Sequence, residues 1–437
     1  MTDPGTTDDD SGTADPAASS SSALPRRPRR RRSWLRWVAL SASVLVLAAA
    51  ATGWSLYKKL DGNIRTDFNT AHELAEYEKE RPPPVEGVVE AQNILVLGSD
   101  NRGDGNGKYG RDEGSQRSDT AILLHIAGDR RSATGVSIPR DLMVDIPRCT
   151  LKDGSRSDKR FAQFNSAFQD GGTACTIRTV EKMTHVRIDH HLVLDFRGFK
   201  KLVNAVGGVD VCLPESVRDK DAKLDLPAGR QTLHGEDALG YVRARHSLGN
   251  GSDTERIDRQ QQFLGSLVKK VRSDGVLLNP GKVYPVLDAA TSALTADSGL
   301  DSLTELYELA RSVRDIPEDH VRFLTVPRQS YELDINRDEL VQPEADRLFS
   351  ALRHDRQVRV RGEQREAVDA ESAERDGAQK DEKSGDRKSD GEGEKKKENG
   401  EETDTGGDGK REPGQAYRGT TAAHDICSTN EAENEAN

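Results

Sequence analysis

An uncharged apolar run near the N-terminus limits how the rest of this chain can be arranged. The nineteen residues from Val38 to Leu56 carry no charged side chain. A helix of that length rises about 30 Å, which is enough to cross the hydrocarbon core of a bilayer. Aromatic residues, typical of membrane interfaces, flank the run: Trp34, Trp37, Trp54 and Tyr57. The run therefore predicts a transmembrane anchor over residues 34–57.

A basic cluster before the run indicates its orientation. Residues 26–32 read RRPRRRR, and positive charge beside a span stays on the cytoplasmic side. We therefore expect residues 1–33 to form a disordered cytoplasmic tail and everything after Tyr57 to lie outside the membrane. A cleaved signal peptide is the alternative, because Ala48–Ala51 offers small residues for cleavage. The length of the run and the aromatic residues at its far end favour a retained anchor.

Composition divides the remainder into three parts. Residues 58–90 end in RPPPVEGVVE, which indicates a stalk before a domain at 91–355. Residues 356–437 are rich in Glu, Lys, Asp and Gly, so we expect a disordered charged tail. The net charge of −11 argues against nucleic acid as a partner.

Strand and helix patterns alternate within the domain. Short apolar runs closed by glycine or proline indicate buried strands, and apolar positions three or four residues apart indicate helices. Strands are predicted at NILVLG, AILLHIA, TGVSI, IDHHLVLDF, VDVCLP and VRFLTVP, with helices among them. The chain is therefore predicted to be α/β, a layered sandwich whose central mixed sheet is flanked by helices, preceded by one transmembrane helix.

Cationic side chains concentrate in residues 241–261, YVRARHSLGNGSDTERIDRQQ. Arg243 and Arg245 are two positions apart, so both guanidinium groups face one way if the segment is extended. We therefore predict VRAR to be extended.

A helix is predicted directly after it. Asp253 or Thr254 can cap this helix, and Arg256 and Gln260 then share one face of its first turns. A helix N-terminus beside these side chains suits a polyanion such as pyrophosphate. The alternative is a set of surface arginines paired with the acids of the same segment.

Two aspartates lie at adjoining ends of candidate neighbouring strands. Asp100 follows NILVLGS, and Asp119 precedes TAILLHIA. Carboxylate oxygens are ligands that Mg²⁺ accepts, so the pair could share one magnesium ion. Each aspartate alone is weak evidence, since Asp is common at strand ends.

Two other motifs are rejected. The segment GNGK, residues 105–108, lacks a phosphate-loop pattern because Tyr109 stands where Ser or Thr is required. His190 and His191 are adjacent on a strand, so they face opposite sides and do not form one chelate.

The cysteines indicate a covalent link. Cys149 and Cys175 lie 26 residues apart, and in an exported domain a disulfide is expected. A zinc site is disfavoured, because the chain has no CxxC pair and no histidine cluster nearby. For Cys212 and Cys427, both a second disulfide and free thiols remain open.

Six stretches in order make the chain resemble the LytR-CpsA-Psr family of cell-wall glycopolymer ligases. They are NILVLGSD, RSDTAILLHI, SIPRDLMVDIP, IDHHLVLDFRGFKKLVNAVGGVDV, LPAGRQTLHGEDALGYVRARH and SDTERIDRQQ. The resemblance implies an extracytoplasmic catalytic domain at 91–355 that transfers a glycopolymer phosphate from a polyprenyl pyrophosphate lipid carrier to a peptidoglycan hydroxyl. The partners it implies are the polyprenyl pyrophosphate-linked glycan, peptidoglycan and the cytoplasmic membrane, with Mg²⁺ as cofactor.

The resemblance also implies roles for individual residues. Five arginines and one glutamine would bind the pyrophosphate: Arg117, Arg140, Arg243, Arg245, Arg256 and Gln260. Asp100 and Asp119 would hold the metal. Asp253, acting with Arg256 and Arg117, would orient an arginine or accept the hydroxyl proton. One departure is that Gln163 stands where the family often has Lys, so that phosphate contact would be either missing or supplied by Lys159 or Arg160.

Three other functions are alternatives to transfer. A membrane-tethered regulator would need a cytoplasmic DNA-binding fold, which 33 disordered residues do not provide. A polyprenyl-pyrophosphate hydrolase would use the same site with water as acceptor. A non-catalytic wall-binding protein would show no metal dependence.

Overall fold

The computed structural model describes residues 30–88, 90–100, 118–151, 153–220, 222–244, 253–273, 280–361 and 416–424. The chain divides into two compact units, Met1–Leu56 and Tyr57–Asn437. The helix that includes the apolar run is long and apolar enough to cross a membrane over Trp34–Asp61, with a mean hydropathy of 1.7. Residues 34–56 of this helix are exposed throughout, which distinguishes them from the core helix of a soluble protein.

Nine helices and eighteen strands are formed by the described residues. The helices are α1 (Arg30–Asp61), α2 (Phe68–Glu76), α3 (Asn165–Thr184), α4 (Phe196–Ala205), α5 (Gly235–Arg243), α6 (Asp253–Ser273), α7 (Pro280–Ala293), α8 (Leu303–Arg314) and α9 (Glu344–Arg353). The strands are β1 (Arg65–Thr66), β2 (Gln92–Ser99), β3 (Ser118–Ile126), β4 (Ala133–Ile138), β5 (Met143–Ile146), β6 (Arg160–Gln163), β7 (His190–Asp195), β8 (Val209–Leu213), β9 (Val217–Asp219), β10 (Leu224–Leu226), β11 (Gly229–Leu233), β12 (Leu294–Ala296), β13 (Val321–Thr325), β14 (Arg328–Tyr331), β15 (Asp334–Leu340), β16 (Arg359–Val360), β17 (Ala416–Tyr417) and β18 (Gly419–Thr421).

A mixed sheet of eight strands forms the middle of the second unit. Its order is β1-β12-β7-β2-β3-β4-β13-β18. The pairs β2–β7 and β4–β13 are parallel, whereas β2–β3 and β3–β4 are antiparallel. The predicted central mixed sheet is therefore confirmed.

The two faces of this sheet are packed differently. Leu95, Leu97 and Leu123 are fully buried on one face, in a core with side chains of α3 and α9. The intervening residues of the same strands, such as Val96 and Ile122, lie on the other face, since successive strand residues alternate. We call these the closed face and the open face.

A smaller core lies over part of the open face. It is built from the antiparallel pair of β8 and β11, the hairpin of β9 and β10, and helices α4, α5 and α6. Its members include Val203, Leu224 and Phe263, each almost fully buried. This second core holds three helices in place above the sheet.

The segment predicted as a stalk packs against the domain instead. Strand β1 joins the central sheet beside β12, and Leu60 is buried. Arg81 pairs with the buried Glu181 at 2.7 Å and also donates to the Ile188 carbonyl oxygen. Through these contacts, part of the segment is buried against the domain instead of being surrounded by solvent.

The predicted C-terminal tail is likewise ordered in part. Strand β18 pairs with β13, opposing Thr421 to Arg322, and β17 pairs with β16. Tyr417 and Ala422 are buried in the two cores on either side of the sheet. The segment satisfies the backbone groups of an edge strand, which explains why it is bound there.

Cys149 and Cys175 are joined by a disulfide, with their Cα atoms 5.4 Å apart. Both are fully buried in the core of the closed face, where the bond links the chain after β5 to α3. Cys212 is also disulfide-bonded, and Cys427 lies outside the described residues.

Candidate functional site

A cavity of about 460 Å³ lies on the open face, between the sheet and helices α4, α5 and α6. Its floor includes Val96, Ile122 and Leu194 from three adjacent strands. Phe196 and Phe199, at the start of α4, line the side of the cavity that faces this floor.

Part of the cavity lining is charged or polar, and we call this part the polar end. Its charged and amide side chains include five of those predicted or implied for the site: Asp100, Arg140, Arg243, Arg256 and Gln260 are among its lining residues. Residues distant in the chain are thus collected from the end of β2, the end of β4, the last turn of α5 and the first turns of α6. Three guanidinium groups in one space can offset much of the charge of a pyrophosphate.

The prediction that VRAR is extended is wrong for Val242 and Arg243, which are helical, and Arg245 lies outside the described residues. Residues 241–243 complete α5, and Arg243 is the last residue of that helix. Glu236 and Asp237 in its first turn and Arg243 in its last match the helix dipole, a signal that the two-residue spacing of the arginines obscured. Arg243 lines the cavity with its guanidinium carbon 4.5 Å from the centre of the Phe196 ring.

Helix α6 begins at Asp253 and carries the densest part of the site. Arg256 is buried and its Nη2 lies 2.5 Å from Oδ1 of Asp253. The other carboxylate oxygen, Asp253 Oδ2, is buried and has no hydrogen-bond partner among the residues that the structure describes. That oxygen can accept a proton or a hydrogen bond from a ligand.

Three consecutive side chains fix α6 against its neighbours. Arg259 donates to the Ala244 carbonyl, and Gln260 donates to the Val242 carbonyl at 3.1 Å, so both hold the end of α5. Gln261 donates to Ser137 Oγ at 3.1 Å and thereby attaches α6 to β4. Burial lowers the pKa of Arg259, which nearby acids partly oppose. Gln260 therefore both lines the cavity and orients the helix end that carries Arg243.

The predicted metal ligands adjoin along the backbone. Strands β2 and β3 are antiparallel, and Ser99 lies opposite Ser118. Asp100 directly follows β2 and Asp119 is the second residue of β3, so the two residues lie at adjacent strand ends. Asp100 is buried, 6% exposed, and lines the cavity. The side chain of Asp119 and all of Arg117 and Arg245 lie outside the described residues.

Arg140 belongs to a network at the cavity edge. Its Nε donates to Asp141 at 3.1 Å, and Gln163 donates to the other oxygen of Asp141 at 2.7 Å. Gln163 thus stabilises Asp141, the carboxylate that pairs with Arg140. As an uncharged amide, it does not supply the positive charge of a lysine. Arg160, a candidate substitute, pairs with Asp170.

The charge of Asp141 in this network also affects the pKa of Asp338 on β15. Burial raises the pKa of Asp338, Arg328 lowers it, and the nearby charges of Asp253 and Asp141 raise it further. The charges of Asp253 and Asp141 therefore reach the carboxyl group of Asp338.

Sequence reasoning missed most of the apolar lining. Phe199, Leu239, Val242, Phe263 and Leu264 line the cavity along with Phe196. The Phe199 and Phe263 rings lie 5.6 Å apart, which joins α4 to α6. The helical periodicity of α4 and α6 identifies these positions as inward-facing, but it does not separate core from cavity wall.

Two aspartates in the lining were also missed. Asp195 caps α4 by accepting from the Gly198 amide at 2.6 Å, and Asp219 accepts from the Ala222 amide at 2.9 Å. Both therefore carry structural bonds beside the cavity.

A model of the LytR_cpsA_psr family matches residues 63–354. The cell wall biosynthesis protein LcpA of Corynebacterium glutamicum is 32% identical over 323 residues, which cover 68% of this chain and 60% of LcpA. The polyisoprenyl-teichoic acid–peptidoglycan teichoic acid transferase TagT of Bacillus subtilis is 30% identical over 254 residues, which cover 57% of this chain and 73% of TagT. The chain thus spans about 60% of the length of LcpA.

A solved structure shares the fold. Protein gbs0355 from Streptococcus agalactiae matches with a TM-score of 0.50 and 20% sequence identity, over 61% of this chain and 89% of that chain. At that identity the likeness concerns the fold alone.

Proposed function

The chain belongs to the LytR-CpsA-Psr family, and on that premise we propose that it transfers a glycopolymer phosphate from a polyprenyl pyrophosphate carrier to a hydroxyl group of peptidoglycan. The observation that carries the proposal is that the arginines and a long apolar wall belong to one cavity. A polyprenyl pyrophosphate has the same two parts, a charged head and an apolar tail.

The head group is assigned to the polar end. Arg140, Arg243 and Arg256 would bind the pyrophosphate oxygens, together with Arg117 and Arg245. Phosphoryl transfer asks a protein mainly for positioning and for positive charge around the phosphate oxygens. The buried pairing of Arg256 with Asp253 holds one of these guanidinium groups in a fixed place.

The tail is assigned to the apolar walls. Val96, Ile122 and Leu194 below, and Phe196 and Phe263 above, would surround its first isoprene units. The relatives named as polyisoprenyl-teichoic acid transferases act on substrates of this kind. The apolar helix at Trp34–Asp61 would anchor the domain beside the bilayer that holds the carrier, with its N-terminus in the cytoplasm.

The bond changes follow from these placements. The acceptor hydroxyl oxygen forms a bond to the glycan-linked phosphorus, and the bond from that phosphorus to the bridging oxygen breaks. Polyprenyl phosphate leaves with the bridging oxygen. Asp253 Oδ2, a buried acceptor, takes the hydroxyl proton.

Magnesium is part of the proposal. Asp100 is a buried carboxylate at the polar end, and oxygen ligands of this kind suit Mg²⁺. Asp100 and Asp119 would hold the ion, which would supply positive charge toward the phosphate oxygens.

The test uses the full chain in detergent with a polyprenyl pyrophosphate-linked glycan, soluble peptidoglycan fragments and Mg²⁺, with products followed by mass. The expected product is a peptidoglycan fragment that carries the glycan phosphate, formed with polyprenyl phosphate and lost when Mg²⁺ is chelated. Free glycan phosphate alone would instead identify a hydrolase. Lipid binding without any product would identify a binding or regulatory protein.

A further inference from the structure

A second, polar groove of about 370 Å³ lies on the other side of α6. Its walls include Thr254 and Asp258 of α6, Arg328 and Asp338 of the β14–β15 hairpin, and the C-terminal Arg418. The C-terminal wall lies beyond residue 354, where the family match ends.

The first turns of α6 separate this groove from the cavity. Arg256 and Gln260 line the cavity, whereas Thr254 and Asp258 line the groove. Each pair is four residues apart and so shares a helix face, and the two pairs are offset by two residues, about 200° around the helix. Asp253, whose Oδ2 is the proposed proton acceptor, is the first residue of α6, the helix that separates the groove from the cavity.

The side chains of the groove are arranged in cation–acid pairs. Arg328 pairs with Asp338 and donates to Thr254 Oγ1 at 2.6 Å, and Arg418 lies 2.5 Å from Asp258. Each pair presents donors and acceptors side by side, the pattern that hydroxyl and amide groups need.

The charge and polarity of the groove narrow the class of ligand. Its lining carries three arginines and three carboxylates: Arg328, Arg361, Arg418, Asp258, Asp338 and Glu344. The carboxylates disfavour a polyanion, and the scarcity of large apolar side chains disfavours a lipid chain. A neutral, hydroxyl-rich polymer fits both conditions.

We propose that this groove binds the glycan strand of peptidoglycan and delivers its hydroxyl to the start of α6. The assignment rests on the proposed function, because it names the acceptor subsite of that reaction. It also gives the ordered C-terminal segment a role, since Arg418 would contact the acceptor.

The test compares Arg418→Ala with the original chain and with Arg359→Ala. Arg418 is 65% exposed at its side chain, so its removal leaves the cores intact. Arg359 is an exposed arginine of β16 outside the groove lining and serves as the matched control. Calorimetric titration with a soluble peptidoglycan glycan fragment, without lipid donor, measures the Kd of each full-length chain.

The expected result is a Kd about tenfold higher for Arg418→Ala and unchanged for Arg359→Ala, with a parallel rise in the acceptor KM. Equal Kd values for all three chains, or no binding by the original chain, would overturn the inference. A transfer assay on the original chain separates the two proposals. Fragment binding that depends on Arg418 without transfer would refute the proposed function alone, whereas transfer with equal acceptor KM values would refute the groove alone.

Discussion

Ile122 and Leu123 are neighbours on β3, and they lie in opposite environments. Leu123 is fully buried on the closed face, in the core that includes α3, α9 and the Cys149–Cys175 disulfide. Ile122 is half-buried on the open face, where it lines the cavity. One strand therefore supplies both the scaffold and the site.

The closed and open faces of the sheet therefore have different roles. The side chains of the closed face form one buried core with α3 and α9, so they stabilise the sheet. The open face is covered by helices that carry their own core, and this leaves space between the two layers. We therefore expect changes on the open face to alter activity and changes on the closed face to alter stability.

Arg243→Ala should give the largest effect on activity. Removing one of the cationic groups at the polar end is expected to lower the transfer rate by about 10²–10³-fold. The melting temperature should change little, because Arg243 is only half-buried at the end of α5. A transfer assay and a thermal melt measure the two quantities.

The matched control for this change is Arg218→Ala. Arg218 is an exposed arginine of β9, paired with Asp225 and outside the cavity lining. Near-normal transfer by Arg243→Ala, or equal losses in both variants, would contradict the assignment of the open face as the site.

Leu123→Ala and Ile122→Ala test the two faces with adjacent residues. Leu123→Ala should cost about 3 kcal/mol of unfolding free energy, because it opens a hole in a filled core. Ile122→Ala should cost about 1 kcal/mol, since its side chain already borders a cavity, and should raise KM for the lipid donor. Chemical denaturation measures the unfolding free energy of the two variants, and donor titration measures their KM. Equal effects of Leu123→Ala and Ile122→Ala on both quantities would contradict the assignment of different roles to the two faces.

Loss of the Cys149–Cys175 bond should affect the closed face only. The double change Cys149→Ala with Cys175→Ala releases a loop of 26 residues and should lower the unfolding free energy by about 3 kcal/mol. Transfer per folded molecule should stay unchanged, as measured at a temperature where both proteins are folded. A large loss of transfer there would mean that the two faces are coupled.

His190 provides the smallest effect, and it depends on pH. The hydrogen bond that His190 Nδ1 donates to Asp297 Oδ1, 3.1 Å away, raises the pKa of His190 against the opposing effect of burial. The resulting stabilisation is fully present below the unfolded pKa of about 6.5 and is lost as pH rises through the higher folded pKa.

His190→Gln should therefore destabilise the protein by about 1 kcal/mol near pH 6, and by less at alkaline pH. The exposed His72, paired with Glu76 on α2, gives the control variant His72→Gln. Thermal melts across pH check this, and a constant difference between His190→Gln and the original chain would remove the ionic explanation.

Much of the fold could be predicted because its strands are continuous apolar runs. NILVLG and AILLHIA place apolar side chains on both faces of the sheet, and such runs can be recognised without knowledge of their partner strands. The first turns of α6 were also predictable, since Arg256 and Gln260 share a face at a spacing of four. The end of α5 was not, because the two-residue spacing of Arg243 and Arg245 suggested a strand.

Other features depend on contacts between distant residues. Strand β18 is three residues long and pairs with β13 about a hundred residues earlier in the chain, so no local pattern marks it. The cavity itself depends on how α4 and α6 are held above the sheet, which their amphipathic periodicity does not specify. Local pattern therefore identifies the elements and several site residues, while tertiary packing decides where space is left.

Photo-crosslinking of the lipid donor shows which face of the sheet binds the polyprenyl chain. The probe is a polyprenyl pyrophosphate-linked glycan with a diazirine on its first isoprene unit, and labelled peptides of the full chain are mapped by mass spectrometry. We expect label on α4 and α6, around Phe196, Phe199 and Phe263, that Arg243→Ala reduces and Arg218→Ala does not. Label on α3 or α9 of the closed face, or label that neither change affects, would contradict this expectation.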